Sequence, residues 1–173
     1  IFAPKRNIYM DFNTWINKVI ESGNLCVEYK EKVDDAKSKL QLMHLCLDSN
    51  GSSYLCEMQE KGYPLPYEVI NKEFRSYING RYNAEFKNDK GNGYTSSIYC
   101  CYAEDELLID TTLTTMLGCN TDVYIRQNDF VKIYADKNCE LHISCPDSSR
   151  CIVEYWDGAR IFVHRGVVEM IKH

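Results

Sequence analysis

No stretch of this chain approaches the roughly 20 consecutive apolar residues of a helical membrane span. None joins a basic n-region, an apolar h-region and a small-residue cleavage site in the order of a secretory signal. Charge of one sign is also scarce. A net charge of -5 and a pI near 5.4 leave no general electrostatic attraction for nucleic acid or anionic lipid. The phosphate-cradling patterns G-x-x-x-x-G-K-[ST] and G-x-G-x-x-G are missing, because Gly91-Asn92-Gly93 lacks both the third glycine and a following helix. No cofactor is expected, and no paired C-x2-C knuckle announces a structural zinc. These absences together predict a cytosolic protein with no membrane partner. The first residue is Ile1 and the first methionine is Met10, so further residues are expected upstream.

What is present is enough apolar material, 45% of residues, for a real core. Nine cysteines are an odd number at spacings unlike those of small disulfide scaffolds, and they read as small buried hydrophobes in a reducing cell.

From Gly118 to Val163 the sequence repeats every ten residues. One column reads Gly118, Asn128, Asn138, Ser148, Gly158, the residue types that tolerate a tight backbone, and marks a corner. Two further columns read Thr121, Val131, Leu141, Cys151, Ile161 and Val123, Ile133, Ile143, Val153, Val163. Their spacing of two puts both on the inward face of a strand, while Lys132, His142 and Phe162 between them point the other way. Leu113 extends the last column by one copy. A ten-residue unit cannot bury its apolar face alone, so successive copies must stack. A small β-solenoid is predicted. An antiparallel meander has the same period, and Pro146 and the bulky Tyr155-Trp156 interrupt strict regularity.

Ahead of the array the spacing predicts a helix over 11–22, with Phe12, Trp15, Ile16, Val19 and Ile20 on one face. A long amphipathic helix is predicted from Tyr29 through Val33, Ala36, Leu40 and Met43 to Leu47, stopped by Asp48-Ser49-Asn50-Gly51. Ser52 and Ser53 start a shorter helix ending at Gly62, and Pro66 starts another through Ile78. Residues 79–95 read as a long loop or loose hairpin, followed by strands at 97–102 and 107–109. After the array, Val167, Val168 and Ile171 form a last strand or a terminal cover. The fold class is α+β. Residues 1–80 are a helical unit, 81–110 a polar aromatic loop with leading strands, and 111–173 the repeat with its cap.

Candidate chemistry is thin. Cys139, His142, Cys145, Cys151 and His164 are zinc-type donors, but in the ten-residue frame His142 points away from its inward neighbours, and core filling accounts for the cysteines. No local signature singles out a cysteine nucleophile with a histidine base. The stretch 72–94 interleaves Arg75, Arg81, Lys87 and Lys90 with Phe74, Tyr77, Tyr82, Phe86 and Tyr94. Such interleaving grips single-stranded nucleic acid; Glu73, Glu85 and Asp89 cancel most of the charge, and a protein-binding loop fits as well.

The unit Asn128-Asp-Phe-Val-Lys-Ile-Tyr-Ala followed by Asn138-Cys-Glu-Leu-His-Ile-Ser-Cys resembles the degenerate N-x-x-V-x-A/I-x arrays of uncharacterised proteins in gut Bacteroidetes and their phages and prophages. The resemblance spans 111–165 and implies an origin but no activity. The expected function is therefore that of a non-catalytic interaction or structural protein of phage or mobile-element origin. It would hold a protein partner through Arg81, Tyr82, Phe86 and Tyr94 or through the array face, and an inhibited bacterial defence protein is one form of that partner. A small cysteine-dependent enzyme, or a metal-dependent one built on Cys139, His142 and Cys145, is the alternative, and nucleic-acid binding is a third reading. Uncapped solenoid edges favour a homo-oligomer.

Overall fold

The computed structural model describes residues 12–21, 25–62, 67, 70, 84–87, 93–101, 103, 106–127 and 129–173. Among the described residues four helices, α1 (Phe12–Glu21), α2 (Val27–Asp34), α3 (Lys39–Cys46) and α4 (Ser49–Glu60), precede ten strands. The strands are β1 (Ala84–Lys87), β2 (Gly93–Cys100), β3 (Glu106–Ile109), β4 (Leu113–Leu117), β5 (Asn120–Ile125), β6 (Phe130–Ala135), β7 (Glu140–Ser144), β8 (Arg150–Tyr155), β9 (Arg160–Arg165) and β10 (Val168–Lys172).

From β2 onward the strands go alternately to two sheets, of order β1-β2-β4-β6-β8-β10 and β3-β5-β7-β9. Every pairing is parallel except the β1–β2 hairpin. Parallel neighbours rule out the meander: this is a β-solenoid of about four turns. Phe130 lies beside Arg150, and Asn120 beside Glu140, twenty residues on. The ten-residue sequence period is thus half a turn, one strand plus one corner.

The corners are β-turns closed by amide-to-carbonyl bonds at Asp129–Arg126, Cys139–Asp136, Ser149–Pro146 and Ala159–Trp156, one every ten residues. Pro146 falls at a first turn position, where its carbonyl accepts and no amide is needed. Within the predicted corner column, Gly118 and Gly158 take positive φ, at 59° and 103°. Asn138 and Ser148 do not, and Asn128 lies outside the described residues.

The inward columns are the core. Val123, Ile133, Ile143 and Val153 have no exposed surface, and Val131, Leu141 and Cys151 are buried with them. Two members depart. Val163 is 40% exposed, because β9 ends its sheet among the described residues and nothing stacks on its far side. Leu113 pairs with the outward Lys132 rather than an inward residue. The register slips by one between these turns, which reverses every side chain; Thr114 and Met116 face in, and Leu113 packs against the helices.

The helices cover part of the outer face of the first sheet, over β2, β4 and the Tyr134 end of β6, and leave Phe130 and the outward side chains of β8 and β10 at least partly exposed. Leu47, Leu55, Cys56, Met58 and Ile70 form one buried cluster with Ile98, Cys100, Leu113, Leu117, Tyr134 and Trp156. The bulk of Trp156 is absorbed there, near Tyr134 with ring centroids 6.3 Å apart, while Tyr155 lies against the solenoid core.

The single long helix expected from Tyr29 to Leu47 is two. Residues 35–38 break it, and Ser38, extended at φ -151°, restarts it by accepting from the Gln41 amide while the Gln41 side chain accepts from the Lys37 amide at 2.6 Å. This Ser-x-x-Gln pattern is a capping box in all but the exact amide reached. Asp48 likewise begins a helix as well as ending one, its carboxylate accepting from the Gly51 amide at 2.8 Å. The helix expected to start at Pro66 lies almost wholly outside the described residues. Residues 168–172, expected as a last strand or cover, are a strand that lengthens the first sheet.

Candidate functional site

With part of the first sheet under helices, the outer face of the second is the surface of the solenoid that no described helix covers. Alternation presents Glu106 and Leu108 from β3, Asp122 and Tyr124 from β5, Glu140 and His142 from β7, and Arg160, Phe162 and His164 from β9. Parallel register aligns them in rows. Glu106, Asp122, His142 and Phe162 form one row; Leu108 stands beside Tyr124, and Glu140 between Asn120 and Arg160. Leu108 is 55% exposed, Phe162 44% and Tyr124 38%.

On this face Arg160 pairs with Glu140, and Glu140 Oε1 lies 3.6 Å from His142 Nε2. The His142 ring lies 4.8 Å from that of Phe162, and its Nδ1 is 2.8 Å from His164 Nε2. The last contact depends on an irregularity. The β7–β9 register shifts between Ile143 and Ser144, so that Ser144 pairs with Arg165 and His164 becomes the extra residue.

The residues anticipated from sequence fare unevenly. Arg81 and Tyr82 lie outside the described residues. Phe86 and Tyr94 are direct partners in the β1–β2 hairpin, with side chains outside what is described. The set Cys139, His142 and Cys145 does not assemble. Both cysteines are buried in the core, at 2% and 0% exposure, on the face opposite His142, and among the described residues no group of three or more His, Cys, Asp or Glu side chains is placed to hold a metal. All nine cysteines are free thiols. Burial pushes the Cys46, Cys56, Cys100, Cys139, Cys145 and Cys151 thiols up from their ordinary value, Cys151 to about 12. A nucleophilic cysteine needs the reverse. The signal for Tyr124 and Phe162 was in the ten-residue frame as outward positions, while Leu108 lay in the leading strand ahead of it. The frame could not separate those two from Tyr134, which is equally outward but lies under the helices.

Fold and surface define a class: a two-sheet parallel β-solenoid with one face under helices and one face bearing exposed apolar and imidazole side chains. Comparison with protein families, with curated proteins and with solved structures finds no match for this chain. No helix among the described residues is long and apolar enough to cross a membrane.

Proposed function

We propose that this chain is a non-catalytic interaction or structural protein of phage or mobile-element origin, acting in the host cytoplasm by holding a protein partner, of which an inhibited defence protein is one form. One observation carries the reading. Leu108 and Tyr124 stand side by side and Phe162 two strands further on, large apolar side chains left 38–55% exposed among polar groups on the outer face of the second sheet, and exposed apolar surface rimmed by polar groups marks protein contacts. A stack of short parallel strands supplies an extended surface without a deep pocket. The origin rests on the likeness of the 128–145 units to phage and prophage arrays.

The test is affinity capture from nuclease-treated lysate of a bacterial host, with light scattering of the eluate. Three proteins are compared: wild type, Leu108→Ser/Tyr124→Ser/Phe162→Ser, and Tyr82→Ala/Phe86→Ala/Tyr94→Ala. A stoichiometric protein lost only with the first variant supports the sheet face. Loss only with the second moves the site to residues 81–94, Arg81 among them. Elution of wild type alone, as monomer or homo-oligomer, removes the partner reading.

A further inference from the structure

We propose that His142 and His164 form a two-imidazole chelate for a divalent transition-metal ion of tetragonal preference, copper(II) or nickel(II), on the outer face of the second sheet. The facing nitrogens, His142 Nδ1 and His164 Nε2, are 2.8 Å apart, and the rings lie within 6° of parallel with centroids 5.0 Å apart. Two imidazole nitrogens bound at about 2.05 Å and at right angles to one another stand about 2.9 Å apart, whereas a tetrahedral pair stands about 3.3 Å apart. The two nitrogens are thus already within the separation that one ion spans, and imidazole ligands suit copper(II) and nickel(II), with copper(II) the most tightly held of the series.

Without an ion the two nitrogens share one N–H···N hydrogen bond. Ligation replaces that bond with two metal–nitrogen bonds. The shared proton moves to the far nitrogen of His164, so none is released, and each ring turns about its side-chain torsions to aim its lone pair at the ion. His164 is exposed and the His142 side chain is 30% exposed, so neither rotation meets packed core.

Two further features point the same way. Glu140, held by Arg160, stands 3.6 Å from Nε2 of His142. The carboxylate stands just beyond hydrogen-bond distance, and its charge favours the proton on that remote nitrogen, which leaves the near nitrogen's lone pair for the metal. The register shift between Ile143 and Ser144 takes His164 out of the place opposite Ser144 that regular pairing would give it, and bulges commonly re-aim a side chain in this way. Asp122 beside His142 and Glu106 beside Asp122 add negative charge to the row, which favours a dication; Arg165 opposes it, and Arg160 is paired with Glu140. With two protein ligands, water completes the coordination sphere.

The experiment uses the full chain without an affinity tag, carrying Cys26→Ser and Cys101→Ser because those two thiols are exposed. Nickel(II) is titrated by calorimetry, and paramagnetic broadening of the four histidine ring signals is followed by NMR. The expected result is one ion per chain, with His142 and His164 broadened first and His44 and His173 spared. Glu140→Gln should weaken binding by less than tenfold, and His142→Ala or His164→Ala by more. Copper(II) should bind more tightly than nickel(II), and zinc(II) more weakly than copper(II). Broadening of His44 or His173 instead, undiminished binding when both His142 and His164 are replaced, or no binding at millimolar nickel overturns the proposal. The broadening pattern is read on unsubstituted histidines, so it stands even if a variant folds poorly.

Discussion

Asp136 has no exposed surface, and its carboxylate is met from four sides. Tyr67 donates to Oδ2 at 2.6 Å, while the amides of Gly118 and Asn138 donate to Oδ1 at 2.9 and 3.1 Å and the Cys139 thiol approaches at 3.4 Å. Burial and then the bond to Asp136 push the Tyr67 phenol up, so it remains a donor. Tyr67 also accepts from Asn138 Nδ2 at 2.7 Å, and a Cβ on Gly118 would meet its ring. One carboxylate therefore ties a corner of the solenoid to the segment after α4. Asp136→Ala strands several buried donors and should cost on the order of 3 kcal/mol in urea denaturation. A second expectation concerns the thiols. Only Cys26 and Cys101 are exposed, so a chromogenic disulfide should titrate two thiols rapidly in the native protein and all nine once it is unfolded.

At the scale of the element, the ten-residue columns make graded predictions. Ile143 is wholly buried between stacked turns, and Ile143→Ala should cost about 3 kcal/mol, while Val163→Ala at the open side of β9 should cost well under 1 kcal/mol. Equal losses would show that β9 is covered in solution. The Ser38 cap is separable from both, and Ser38→Ala should cost about 1 kcal/mol. Across strands, Glu154 on β8 binds Lys132 on β6 at 2.5 Å and His173 beyond β10 at 2.9 Å. Burial alone would raise the Glu154 carboxyl, but these two partners more than offset it and hold the carboxyl below its usual range. Its contribution is therefore present above the unfolded carboxyl value of about 4.3 and is lost as pH falls through the lower folded value. The stability gap between wild type and Glu154→Gln should be full at pH 6 and close progressively below about pH 4. A gap that persists at pH 2 would assign the effect to packing.

For the whole molecule, the decisive feature is that helices and solenoid share one buried cluster, running from Leu55 and Met58 through Tyr134 to Trp156. Such a layer has no separate core to fall back on. In a Trp15→Phe background, helix loss by circular dichroism and Trp156 fluorescence should follow one urea transition. Two midpoints would make the helices an independent unit. The same layering gives the molecule its asymmetry: the first sheet gives part of its outer face to the helices, and the second offers Leu108, Tyr124, Phe162 and the imidazole pair along its whole width.

The sequence by itself determined the strand columns, the corners and the α+β class, because stacking apolar residues at a spacing of two and turn residues at a spacing of ten are local requirements. It carried the Ser38 and Asp48 caps as well, as Ser-x-x-Gln and Asp-x-x-Gly, although apolar spacing ran across Ser38 and the Asp48 stretch read as a stop. Only the tertiary structure decided that ten residues are half a turn. For that reason Tyr124 and Tyr134, one column of the repeat frame, face opposite fates, one outward and one under helices. The meeting of His142 with His164 belongs to the same level. It depends on a neighbouring strand twenty residues away and on one extra residue in its register, and neither is a property of either strand alone.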